Sequence, residues 1–204
     1  MCVLALALSA GVTGAYAEIA VSKKTAPEVA PISLGNIGPL RLEKKTLRSI
    51  DRIGPVKLSS VMVKDHVKVN GPVSAKNIKV HGVKGMTING PLKLEKSEVL
   101  GTLSVTGPLK IEHTTVAGET KLIGPMKAHK ARFKKKLDVT ANEIEIDESY
   151  VAELVVRSKD KAPVVKVEDK STIGKITFIG KPGIVKIDGK NTVGPVTNGT
   201  TIVK

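Results

Sequence analysis

The chain is poor in the residues most chemistry is built from. Its 204 residues hold one cysteine, no tryptophan, two tyrosines and two phenylalanines. The cysteine is Cys2, so no disulfide can close within the chain and no thiolate cluster can hold a metal. Aromatics make up 2% of the residues. That scarcity removes the flat faces on which polysaccharide-active enzymes and single-strand nucleic-acid binders stack sugars and bases. Beyond the first 17 residues the aromatics are Phe133, Tyr150 and Phe178, and only Tyr150 stands outside the core columns described below. No P-loop, nucleotide-binding glycine loop or Ser-His-Asp order is present. The histidines are His66, His81, His113 and His129. His113 and His129 fall on adjacent repeats but one column apart, without a third ligand, so neither a metal site nor a cofactor is expected. These absences point away from an enzyme and from a small-molecule substrate.

Long apolar runs are also missing, with one exception. Met1–Ala17 (MCVLALALSAGVTGAYA) is apolar and ends in Ala15-Tyr16-Ala17, the form of a signal-peptide core with its cleavage site. No Lys or Arg precedes it. Residues 1–17 are therefore expected to be a signal peptide, and the chain to be periplasmic or secreted. Residues 18–36 contain Pro27 and Pro31 but no clear period and read as a lead-in or N-terminal cap. Acidic residues are scarce relative to basic ones, 19 against 33, for a formal charge of +14. Such an excess suits an anionic partner, and equally keeps a repetitive β protein from self-adhesion.

What is present is a repeat. Gly90 to Ile123 reads GPLKLEKSEVLGTLSVT and then GPLKIEHTTVAGETKLI, two versions of one sentence. Its core, an apolar–Lys–apolar–acid quartet, recurs nine times, starting at Leu40, Val56, Val73, Leu92, Leu109, Met126, Ile144, Val165 and Val185. Successive starts are 16 to 21 residues apart. Self-similarity at a near-fixed period marks a stacked architecture. Within each quartet the alternation is that of a half-buried strand. Three further apolar columns follow each quartet. The first runs from Leu47 through Val63 and Val80 to Val193, the second from Ile50 through Val67 to Val196, and the third from Ile53 through Val69 to Phe178. Thr120 is the weak member of the second of these.

One repeat is too small to fold alone. Stacked, each aliphatic side chain lies over its counterpart, and burial contributes about 1.5–3 kcal/mol per side chain against the entropy of ordering. Gly-Pro precedes the quartet at residues 38–39, 54–55, 71–72, 90–91, 107–108 and 124–125, where corners are expected. The wider late spacings predict longer corner loops around Ser158–Lys161 and Ile179–Gly183. The expected fold is all-β: a single-domain parallel β-helix, or β-solenoid, over residues 37–204 with about nine turns. The crossover rule favours the right-handed form, and the hexads of left-handed β-helices are absent.

The compact turns, the alternating Val/Ile/Leu and the corner glycines over roughly Ile37–Val196 resemble the bactofilin family of bacterial polymer-forming proteins. That resemblance implies a right-handed β-helix, end-to-end self-assembly, no enzyme activity and a role in the cell envelope or cytoskeleton.

Two charge features remain. Outward cations (Arg41, Lys57, Lys93, Lys110, Lys127, Lys166, Lys186) run beside outward acids (Glu43, Glu95, Glu112, Asp147, Glu168, Asp188). Pairing between the two columns is the expected role. Residues 127–136 (KAHKARFKKK) form the densest basic run, and the next repeat mirrors it with Glu143, Glu145, Asp147, Glu148 and Glu153. Cross-turn complementarity explains most of this run. The alternative is a corner patch of Lys130, Arg132, Lys134, Lys135 and Lys136 that binds a polyanion such as lipopolysaccharide or nucleic acid. The function expected from the sequence is a non-enzymatic structural, assembly or adaptor protein of the bacterial envelope. Its candidate partners are copies of itself and an anionic envelope component.

Overall fold

A computed structural model describes residues 37–204; the expected signal peptide and lead-in lie outside the described residues. The chain winds into a parallel β-solenoid, and no helix occurs among the described residues. One wall is a ten-stranded sheet whose strands stack in chain order from Leu40–Glu43 to Gly199–Val203, with every neighbour parallel. At about 4.8 Å per step, ten strands span about 43 Å. The second sheet holds the rest of each coil. Short strands such as Glu98–Val99 and Thr115–Val116 form one strip of it, and longer ones such as Leu103–Thr106 and Thr120–Ile123 form another. Four strands, Thr46–Ile53, Met62–Asn70, Arg132–Thr140 and Tyr150–Ser158, run through both strips. Each coil thus has three strand segments and three corners.

The core is the stack of columns that alternation predicts. Leu42, Leu58, Ala75, Leu94, Ile111, Ala128, Ile146, Val167 and Ile187 sit rung on rung. The Leu47 and Ile50 columns are likewise in register from coil to coil. All these columns pack into one apolar cluster. Two expectations need correction. Ile53 is not a core residue: Arg52 pairs with Val69, and Ile53, paired with Asn70, faces outward and is 52% exposed. The first coil has no described coil beneath it, and Arg52 uses the position to donate from Nε to the Gly38 carbonyl at 3.1 Å. The coil count is ten rather than nine, because Gly199–Val203 adds a strand that carries no quartet.

The corners explain how so few residue types suffice. At the first corner, just after the quartet, the chain enters the left-handed region on coil after coil, at Lys44, Ser60, Asn77, Lys96, His113, Lys130 and Glu148. From the second coil on, the residue after this position is buried, and in several coils it is a hydroxyl. Ser97, Thr114, Ser149 and Ser171 each donate to a carbonyl two or three residues back, at 2.6–2.8 Å. Each also accepts a backbone N–H from the coil before, as Ser149 Oγ does from Ala131 at 2.9 Å. This hydroxyl ladder satisfies corner donors that no strand pairs with.

The third corner carries the Gly-Pro pairs. Gly107 has φ +138°, and a Cβ there would lie 2.7 Å from the Gly90 carbonyl oxygen, so the coils approach too closely for any side chain. The first of the longer loops falls at this same corner, between Ser158 and Val164, as the spacing predicts. The second does not form, since only Lys181 and Pro182 lie between Gly180 and Gly183 and the extra residues lengthen the flanking strands. Ser158 Oγ ties the first loop by donating to the Lys161 carbonyl at 2.6 Å.

Candidate functional site

The basic run is the first candidate, and its five residues do not converge on one corner. Lys130 occupies the left-handed first corner and pairs with Glu148 at 3.3 Å. Arg132 lies outward on the short strip, its guanidinium 5.2 Å from the centre of the Tyr150 ring. Phe133 is opposite Val151 and Lys136 opposite Glu153, so Lys134 and Lys135 bulge where the next coil has only Ala152. Both are exposed, and among the described residues no ion pair engages Lys134, Lys135 or Lys136. Glu153 pairs instead with Lys175 at 3.0 Å. The mirrored acids in the next coil take up the remainder of the run, with Lys127 on Glu145 at 2.8 Å. The bulge follows from counting: the Arg132 coil carries one more residue here than its neighbour, and a strand absorbs an extra residue by bulging.

The outer face of the ten-stranded wall is the second candidate. Its cation and acid columns pair along and across strands: Lys110 on Glu112 at 2.9 Å, Lys76 on Glu95 at 2.7 Å, Lys166 on Glu143 at 2.7 Å. Hydrogen bonds from lysine ammonium groups hold the Glu95, Glu112 and Glu145 carboxyls below the usual carboxylate range. Among the described residues Arg41, Lys57 and Lys93 have no ion pair. On their other side runs the column of corner prolines, and between the two lies a shallow groove of about 860 Å³ along the solenoid axis. In the sequence the Gly-Pro pairs read as corner chemistry only. The signal for a surface was nevertheless legible, because each Pro is followed two residues later by an outward side chain that is basic in five of the six coils.

A third cluster joins two neighbouring coils. His129 Nδ1 lies 2.6 Å from Asp147 Oδ2, and the His113 ring meets the His129 ring edge-on at 5.8 Å. Potential ligand atoms of His129, Asp147 and Glu148 lie within 4.8 Å of one another. Lys130 already holds Glu148, and a cation there would have to displace that ammonium. His66 makes a similar pair of contacts, to Asp51 at 3.0 Å and Asp65 at 3.1 Å.

Comparison with known proteins adds no family: no family description, curated protein or solved structure matches the chain.

Proposed function

We propose that this chain is a non-enzymatic structural rod, exported to the bacterial cell envelope, that joins copies end to end or docks an envelope partner at an open coil. The observation that carries this reading is the last coil. Val203 is 71% exposed, whereas in the same column Ile187, one coil earlier, is partly buried and Val167, two coils earlier, is 0% exposed. Among the described residues no strand covers the outer edge of Gly199–Val203 or of Leu40–Glu43. Unpaired parallel edges recruit further strands. The two edges lie at opposite ends, so pairing one on the other is head-to-tail and does not close. The test is mass by light scattering across a concentration series, with electron microscopy, on the chain and on Val203→Asp. Mass should rise with concentration in the chain and fall to the monomer in the variant. A monodisperse monomer at every concentration contradicts the proposal.

The bulge favours a second reading, polyanion binding, since Lys134 and Lys135 project without carboxylate partners. On this reading lipopolysaccharide affinity falls with salt, and the Lys134→Glu/Lys135→Glu variant abolishes it.

A further inference from the structure

The proline corner has properties that neither proposal uses. Pro39, Pro55, Pro72, Pro91, Pro108 and Pro125 are exposed and stand on six consecutive coils. At about 4.8 Å per coil they form a strip of about 24 Å. No backbone N–H beneath them is free. Each proline lacks an N–H, and five of the six prolyl carbonyls accept from the preceding coil, from Leu40 N–H on Pro55 at 2.9 Å to Leu109 N–H on Pro125 at 3.0 Å. The glycine N–H groups are spent in the same way, Gly54 on Asn70 and Gly107 on Ile123 among them. A peptide strand would find no backbone donor to build a ladder on here, and a sugar would meet backbone acceptors alone.

The flanks are asymmetric. On one side stand Arg41, Lys57, Lys93, Lys110 and Lys127, whose alkyl stems line the groove. On the other side the outward column is Ile53, Asn70, Asn89, Thr106, Ile123 and Thr140, without a single charge. Glu112 lies beyond the cations and draws on Lys110, while Glu145 follows Lys127 in the cation column itself and draws on it. Arg41, Lys57 and Lys93 line the groove without an ion pair among the described residues, although the Lys93 charge is also felt by Glu95 and Glu112.

We propose that this groove binds a single long acyl chain ending in an anionic group, the hydrocarbon lying along the prolines and the head taken by Lys57 or Lys93. The length fits: a bilayer core of about 30 Å holds two chains end to end, so one chain is about 15 Å long, shorter than the strip. The strip is one column wide and straight, which suits one unbranched chain rather than a ring or a folded partner. Charge complementarity selects the anion. The ligand is bound, not transformed, since no carboxylate or histidine lines the groove to activate its one hydroxyl, Ser74.

The probe is parinaric acid, a long-chain fatty acid whose own fluorescence rises in an apolar site; the tryptophan-free chain adds little background. Titration of the full chain below the probe's micelle concentration should give a saturable rise. Lys57→Glu/Lys93→Glu should weaken binding at least tenfold. Ser74→Glu, which sets a carboxylate midway along the cation column, should do the same through an independent exposed site. Lys134→Glu/Lys135→Glu should leave binding unchanged, and a long-chain alcohol should compete at least tenfold less well than the acid. The proposal is overturned by the absence of a saturable rise, by equal weakening in the bulge variant, or by equal competition from the alcohol. It is also overturned if the chain binds phosphatidylglycerol vesicles but not the monomeric acid, which would mean a membrane surface is read instead. The result is independent of end-to-end assembly, because a monomer can bind the probe and a polymer can fail to.

Discussion

At the scale of single residues, alternation told which side chains are buried but not which of them are polar for a reason. Thr120 stands at an inward position between Leu103 and Leu137. It is 1% exposed, and its hydroxyl has no hydrogen-bond partner. A buried hydroxyl without a partner carries its desolvation cost uncompensated. Thr120→Val should therefore stabilise the chain by about 1 kcal/mol, read as a higher denaturant midpoint at unchanged slope. Ser149 is the opposite case. It is equally buried, but its Oγ donates to the Asp147 carbonyl and accepts from Ala131 N–H. Ser149→Ala strands that N–H and should cost about 1–3 kcal/mol in the same assay. The two substitutions differ in sign although both remove a buried hydroxyl. The sequence marks Thr120 as a misfit in an aliphatic column. It hides the hydroxyl ladder, because the same corner position holds Val61, Ile78 and Ala131 in other coils and so shows no residue type in common.

Among elements, the walls were legible and the corners only in part. Walls are fixed by side-chain alternation, a property of the letters themselves, and the core columns were read in register from coil to coil. The exception is Ile53, which stands three residues after Ile50 where alternation needs two, so Arg52 and not Ile53 falls opposite Val69. The left-handed first corner left no signal, since Lys, Ser, Asn, His and Glu all occupy it and the requirement falls on backbone rather than side chain. The Gly-Pro corner was legible because its requirement is absolute. At Gly107 a Cβ would meet a backbone oxygen, not a side chain that can move. Gly107→Ala should cost at least about 2 kcal/mol, combining strain at positive φ with displacement of the neighbouring coil. Because each repeat leans only on its neighbours, the loss should appear as early hydrogen exchange in the coils on either side of residue 107. Uniform exchange along the rod would contradict that localisation.

Over the whole molecule, charge and stacking act together. The formal charge of +14 is held on a rod whose outer wall pairs only part of its cation column with acids. The ammonium groups of Lys76, Lys110 and Lys127 lower the proton affinity of Glu95, Glu112 and Glu145 in the folded chain. Carboxyls with a depressed folded pKa stabilise fully above their ordinary value of 4.5 and lose that contribution as pH falls through the lower folded values. Thermal stability, followed by circular dichroism, should thus be flat from neutral pH down to about 5 and decline below 4.5. Protonation of the other carboxylates, which leaves 33 cations unbalanced, steepens the decline. Stability unchanged through that range would show that the paired columns contribute nothing. The proline groove and the open last coil are likewise properties of the whole stack, since each exists only when coils are superposed. That is why the sequence showed their parts and not their use.

The central claim is that successive coils lie over one another along one axis. Spin labels at Lys57 and Lys166, and at Lys57 and Lys186, in a chain whose Cys2 is replaced by serine, test it by electron–electron distance measurement. All three positions are outward residues of one column, in the second, eighth and ninth strands of the ten-stranded wall. The stack predicts narrow distributions near 29 Å and 34 Å, one coil step of about 4.8 Å apart despite the 20 residues between the second labels. Broad distributions, or distances that do not grow by one coil step, contradict the account.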